Sequence, residues 1–151
     1  MSTLKDRLRS DLTAAMKSRD ELRAATLRMV LAAVTTEEVA GKSARVLRDD
    51  EVVTVLGREA KKRREAAEAF GSAGRGEQAD RERAEGAVIE DYLPARLSDD
   101  ELGSMVSAAI AEAGATDPRG MGAVMKVLTP RVAGRAEGAR VATEVRRQLG
   151  S

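Results

Sequence analysis

Tyr92-Leu-Pro-Ala-Arg-Leu-Ser-Asp-Asp-Glu101 is the stretch on which the organisation of this chain turns. Pro94 has no amide hydrogen to continue a helix, and it biases Leu93 towards extended backbone. Four residues after Pro94 stands Ser98, with Glu101 three positions further on. That spacing is a capping box: the serine hydroxyl takes an orphan amide of the new helix and the glutamate reaches back to the serine amide. One helix therefore ends before Leu93 and another begins after Ser98. The domain boundary falls between Tyr92 and Ser98, dividing residues 1–95 from 96–151.

Working towards the N-terminus, the apolar spacing is helical throughout. Leu4, Leu8, Leu12 and Met16 recur every four residues with Ala15 beside them, and Thr3 can cap the helix they define. Ser18-Arg-Asp20 reads as a tight connection, with Asp20 as the next cap. Leu22, Ala25, Met29, Val30, Ala33 and Val34 line a second helix that Gly41 is expected to stop. After a polar loop, Asp49 or Asp50 can cap a third helix with Val52, Val53, Leu56, Ala60, Ala67 and Phe70 facing inward. Gly71 to Gly76 reads as a cap and a flexible linker. A highly charged fourth helix follows to about Asp91, with Ala84, Ala87, Val88 and Tyr92 inward.

Towards the C-terminus, Leu102, Val106, Ala109 and Ile110 mark a fifth helix ended by Gly114. Asp117-Pro118 opens a sixth carrying Met121, Val124, Met125 and Leu128, which Pro130 should kink or end. Gly134 closes that region, and Val141, Val145 and Leu149 line a last helix from about Glu137. The expected fold class is all-α: about four helices over residues 1–95 and a smaller three-helix domain over 96–151. Phe70 and Tyr92 are the only aromatics in 151 residues, so the core must be built from Ala, Leu, Val and Met.

Composition narrows the function classes. There is no Cys and no His, so disulfides, thiol nucleophiles, histidine bases and Cys/His metal sites are excluded. No cofactor site and no calcium-type loop is legible. No apolar run approaches membrane-spanning length and no secretory leader opens the chain, so a cytoplasmic protein is expected. The acidic triplets Asp49-Asp-Glu51 and Asp99-Asp-Glu101 stand at helix starts, where acids oppose the helix dipole; no catalytic residue is assigned. Lys61-Lys-Arg-Arg64 occupies four consecutive helix positions that point four ways, with Glu59, Glu65 and Glu68 in pairing range, so it reads as a solvated face. Gly71, Gly74 and Gly76 lack the Gly-Lys-Ser/Thr of a phosphate-binding loop.

The remaining candidate is the tail. From Pro118 onward there are seven cations and two acids, a net charge of +5. Lys126, Arg131, Arg135 and Arg140 surround a break at Gly134, where the last helix begins with unpaired amides; amides plus cations suit a phosphate. Gly122 can let another backbone come close. An ordinary arginine-rich surface is the competing reading, and the residues alone leave both open.

The sequence resembles the GatB/YqeY family, specifically the stand-alone YqeY-like bacterial proteins. The resemblance runs over nearly the full length. It is carried by Leu27-Arg-Met-Val30, Arg58-Glu-Ala-Lys-Lys-Arg63, Tyr92-Leu-Pro94 with Leu97-Ser98, and Met121-Gly-Ala-Val-Met-Lys126 through Gly134-Arg-Ala-Glu-Gly138. It implies a two-part all-helical protein whose tail is similar to the C-terminal domain of the B subunit of the tRNA-dependent amidotransferase. That enzyme amidates Glu-tRNA(Gln) or Asp-tRNA(Asn), and its tail domain reaches the tRNA elbow while the chemistry sits elsewhere. Gly122, Val124, Met125 and Lys126 match the shared pattern, as do Gly134, Arg135 and Ala136. The enzyme's kinase-like core and amidase subunit have no counterpart here.

The expectation is a non-catalytic tRNA- or RNA-associated module. Its RNA-binding residues would be Gly122, Lys126, Arg131, Gly134, Arg135 and Arg140. Its expected partners are tRNA and the amidotransferase or other translation proteins. The alternatives are a protein-interaction adaptor for translation, and an amidotransferase-associated subunit with carbon–nitrogen ligase activity using glutamine as amido-N-donor.

Overall fold

A computed structural model describes residues 2–150. Among them are seven α-helices and no strand. The chain forms two compact units, the first ending at Leu93 and the second beginning at Pro94.

The first unit holds α1 (Leu4–Lys17), α2 (Glu21–Glu38), α3 (Asp49–Ser72) and α4 (Gly76–Glu90). Thr3 caps α1 through a capping box with Asp6, and Asp20 caps α2 by accepting from the Arg23 amide at 3.1 Å. Between α1 and α2 the chain reverses with Arg19 in left-handed backbone, φ 59°. α2 packs on α1, α3 and α4, and α3 packs along α4. Leu8, Leu27, Val30, Val34, Val52, Leu56 and Ile89 are fully buried at the centre.

Three polar ties run through this unit. Glu38 receives Lys5 Nζ at 2.7 and 2.9 Å and the Leu47 amide at 3.1 Å, while its carbonyl takes the Arg45 amide at 3.0 Å. Arg63 lies among three carboxylates, Glu59 at 3.8 Å, Glu82 at 3.6 Å and Glu85 at 3.4 Å. Tyr92 donates to Asp11 at 2.5 Å, accepts from Arg23 at 3.3 Å, and carries the Arg7 guanidinium 4.8 Å above its ring.

The second unit holds α5 (Asp99–Ala113), a 3₁₀ turn (Pro118–Gly120), α6 (Met121–Val132) and α7 (Gly138–Leu149). Ser98 and Glu101 form the capping box, at 3.1 and 3.0 Å. Leu97, Leu102, Val106, Ala109, Val124, Leu128, Val141 and Val145 make a wholly apolar core.

Local departures from the sequence reading have physical causes. Ala15, not Met16, turns inward on α1; Met16 is exposed. Ala24 and Leu27 replace Ala25 on the buried face of α2, and Val55 replaces Val53 on that of α3. An alanine suits either face, so its neighbours decide. α2 ends at Glu38, before Gly41, because the following loop draws its hydrogen bonds from that residue. Arg48, not Asp49 or Asp50, precedes α3: the Glu51 carboxylate accepts the Arg48 amide at 3.1 Å. The glycine-rich stretch is no linker; helix extends to Ser72 and resumes at Gly76, and Gly74 at φ 76° makes the turn. α6 runs past Pro130 to Val132, since a proline in the last turn removes one hydrogen bond without halting the two residues after it.

Candidate functional site

The helical period sorts α6 into two faces. Val124, Leu128 and Val132 are buried in the core. Gly122, Ala123, Lys126, Thr129, Pro130 and Ala133 are all exposed, a face of small residues with one cation and no acid. A Cβ built on Gly122 would meet nothing within 4 Å, so packing inside the chain does not require a glycine there. Among the described residues, Lys126 has no hydrogen bond or ion pair.

The other tail cations are engaged. Arg131 pairs with Glu112 of α5 at 2.6 Å, both half-exposed. It lies about 140° around the helix from Lys126 at 3.6 residues per turn, so the two do not share a face. Gly134, at φ 74°, turns the chain from α6 towards α7. Around that turn the structure gathers Arg135 and Arg140 onto the segment leading into α5. Arg135 Nε donates to the Ala95 carbonyl at 3.0 Å. Arg140 donates to the Leu97 carbonyl at 2.9 Å and to the Asp99 carboxylate at 2.7 Å. The Leu97 amide donates in turn to the Arg135 carbonyl at 2.9 Å, and Arg96 pairs with Glu137 at 3.8 Å. α7 starts at Gly138 with no side-chain cap from Glu137.

Sequence reading missed this clasp. Its signal was faint: acceptors on a backbone segment, some forty residues from the arginines, carry no side-chain pattern. The charge balance also changes when counted by structural unit. From Pro94 onward eight cations face seven acids, because α5 and its flanks supply Asp99, Asp100, Glu101, Glu112 and Asp117. The +5 of the tail is thus nearly balanced within its structural unit. Glu144, one of the tail's two acids, is held at about 2 by hydrogen bonds from Arg147 and Gln148.

The acidic triplet at the start of α3 is committed to structure. Asp49 accepts the Leu4 amide at 3.0 Å, Asp50 pairs with Arg48, and Glu51 takes Arg45 at 2.6 Å. Hydrogen bonds from the Arg48 amide and the Arg45 side chain hold the Glu51 carboxyl below its ordinary range, and bonds from Ser98 do the same for Glu101. A group so depressed stays ionised at neutral pH and cannot donate a proton there. The Lys61–Arg64 run diverges: Lys61 pairs with Glu65, Lys62 with Glu59 and Arg64 with Glu90, while Arg63 turns inward. A cleft of about 430 Å³ at the start of α1 is lined by Ser10, Arg7, Asp6, Asp11 and Asp49 among others. Its carboxylates are taken by the Thr3, Tyr92 and Leu4 donors already in place.

The arrangement defines a class: an all-helical protein of two units whose acids serve as caps and ion-pair partners. The family model described as Yqey-like protein matches residues 5–149, and the chain belongs to that family, which is related to the C-terminal domain of GatB. A comparison with curated proteins finds no match. No helix among the described residues is long and apolar enough to cross a membrane.

Proposed function

We propose that this protein is a non-catalytic RNA-associated module whose ligand is a folded RNA of the tRNA type, approached through the α6–α7 region. The observation that carries the reading is Lys126: an exposed cation without a partner among the described residues, on an acid-free face of small residues that a phosphate backbone can approach closely. Gly122 belongs to that face, and Arg131 adds a cation whose exposed pair with Glu112 is readily exchanged. Arg135, Arg140 and the first amides of α7 complete the proposed contacts. Base stacking is not the mode, because Tyr92 is buried and Phe70 half-buried. Recognition is of backbone and shape. The family's relation to the GatB tail domain supports tRNA as the RNA and the amidotransferase as the associated enzyme.

Titrating labelled tRNA at two salt concentrations tests this. Lys126→Ala weakens binding and lowers the salt slope by about one. Unmeasurable affinity at low salt for the unaltered protein sinks the reading. The purified chain alone should give no glutamine-dependent amidation; turnover would overturn the non-catalytic assignment. A second reading, an adaptor for translation proteins, is favoured by Val39 and Val46, which stand exposed around the α2–α3 loop. Partners that survive RNase in a pull-down, and are lost on Val46→Ser, would favour it over RNA.

A further inference from the structure

Residues 95–99 are more than a connection. Leu97 is buried in the apolar core of the second unit, and three oxygens of the segment sit on two guanidiniums. The Ala95 carbonyl takes Arg135; the Leu97 carbonyl and the Asp99 carboxylate take the two ends of Arg140. These are the acceptor types, planar and rich in lone pairs, that a guanidinium also finds in phosphate. The clasp has a firm end and a weak one. Leu97 is held by burial and by its amide bond to Arg135, whereas the Asp99 side chain is 96% exposed, so its pair with Arg140 is screened by solvent.

We propose that the oxygens of residues 95–99 form an internal strap that occupies Arg135 and Arg140 in the free protein and yields them, the exposed Asp99 carboxylate first, when an anionic backbone takes the two arginines. The proposal rests on the RNA reading above. Binding and strap release are then reciprocally coupled: loosening the strap raises affinity for RNA, and RNA loosens the strap.

The test follows two quantities in the full chain, amide exchange at Leu97 and affinity for unfractionated tRNA. Asp99→Asn removes the charge at the weak end. Asp100→Asn removes the same charge one residue on, at a side chain that grips no arginine, and so measures the general electrostatic gain. Asp99→Asn should speed Leu97 exchange and bind tRNA about threefold more tightly than Asp100→Asn, the size of one exposed ion pair expressed as an affinity ratio. Saturating tRNA should speed Leu97 exchange in the unaltered protein. Equal affinities for the two variants, or Leu97 exchange unchanged or slowed by bound tRNA, would overturn the strap while leaving the RNA reading intact. Absence of tRNA binding in all three proteins at low salt would overturn both.

Discussion

The first unit threads charges through its helix layers, and the second keeps them at its margin. Glu38, Arg63 and Tyr92 each gather three polar partners, at least one of them on another helix of the first unit. The second unit's core is only Leu, Val and Ala, with its arginines on the strap and the outer faces. The contrast teaches where each unit gets its specificity. Ion pairs in the interior add little net stability but penalise alternative registers, since a slipped helix would strand a charge. Arg63 does this for the α3–α4 pair, where a Cβ at Gly86 would stand 3.4 Å from its own Cβ. The second unit relies on shape, and its arginines pair with acids and carbonyls outside that core.

The sharpest way to break this contrast is Leu128→Ala. Leu128 is fully buried in the apolar core of the second unit. The cavity should cost about 2–5 kcal/mol, read from urea unfolding followed by circular dichroism. A loss below about 1 kcal/mol would mean that apolar packing is not what holds the unit, against the usual range for such truncations.

Gly120→Ala tests the shape argument from the other side. Its new methyl would lie 2.5 Å from the Ala115 Cβ and 3.2 Å from the Ala115 Cα. The 3₁₀ turn must shift, at about 1–3 kcal/mol. Thermal unfolding measures it, and an unchanged midpoint would refute the close packing.

Tyr92→Phe probes the polar wiring of the first unit, deleting one hydroxyl between Asp11 and Arg23, for a loss of about 1 kcal/mol. Burial, then the hydrogen bond to Asp11 and its charge, push the phenol from 10.0 up to about 12. The folded state therefore holds a proton that the unfolded state has released. The associated stability is complete below pH 10 and is lost as pH rises towards 12. With one tyrosine and no tryptophan, a near-ultraviolet absorbance titration reads this group directly. A midpoint near 10 would show the Tyr92–Asp11 hydrogen bond open in solution.

The smallest effect appears only in acid. Hydrogen bonds from Lys5 and from the Leu47 amide hold Glu38 below its ordinary 4.5. The folded state there binds fewer protons than the unfolded one, so the contribution is complete above 4.5 and is lost as pH falls through the lower folded value. Glu38→Gln should make the acid limb of the stability–pH curve shallower. An unaltered limb would remove Glu38 from the wiring.

Much of this architecture is legible in the residues. Ser98 with Glu101, Asp20 and Thr3 announce their caps, because a cap is a local bond between near neighbours. The stripe Val124, Leu128 on α6 and Val141, Val145, Leu149 on α7 is equally local. Facing is less legible where alanine dominates: Ala15, Ala24 and Ala25 suit water and core alike, so only the neighbouring helix chooses. The site is least legible of all. Lys126 could be marked as a tail cation, but its want of a partner depends on where every acid in the unit lies. Arg135 and Arg140 are marked in the same way, as tail cations, and their engagement depends on carbonyls near Pro94 that no side chain advertises.

The Tyr92 clasp has a consequence for how the chain is made. Tyr92 and Asp11 are 81 residues apart, and Tyr92 stands at the very end of its unit. During synthesis, from N- to C-terminus, the helices that precede it can pair as they emerge, but the knot of Asp11, Arg23 and Arg7 stays untied until that residue clears the ribosome. Pro94 follows two positions later. The first unit can therefore be completed before the second has fully emerged from the ribosome, and its lone tyrosine marks the moment of completion.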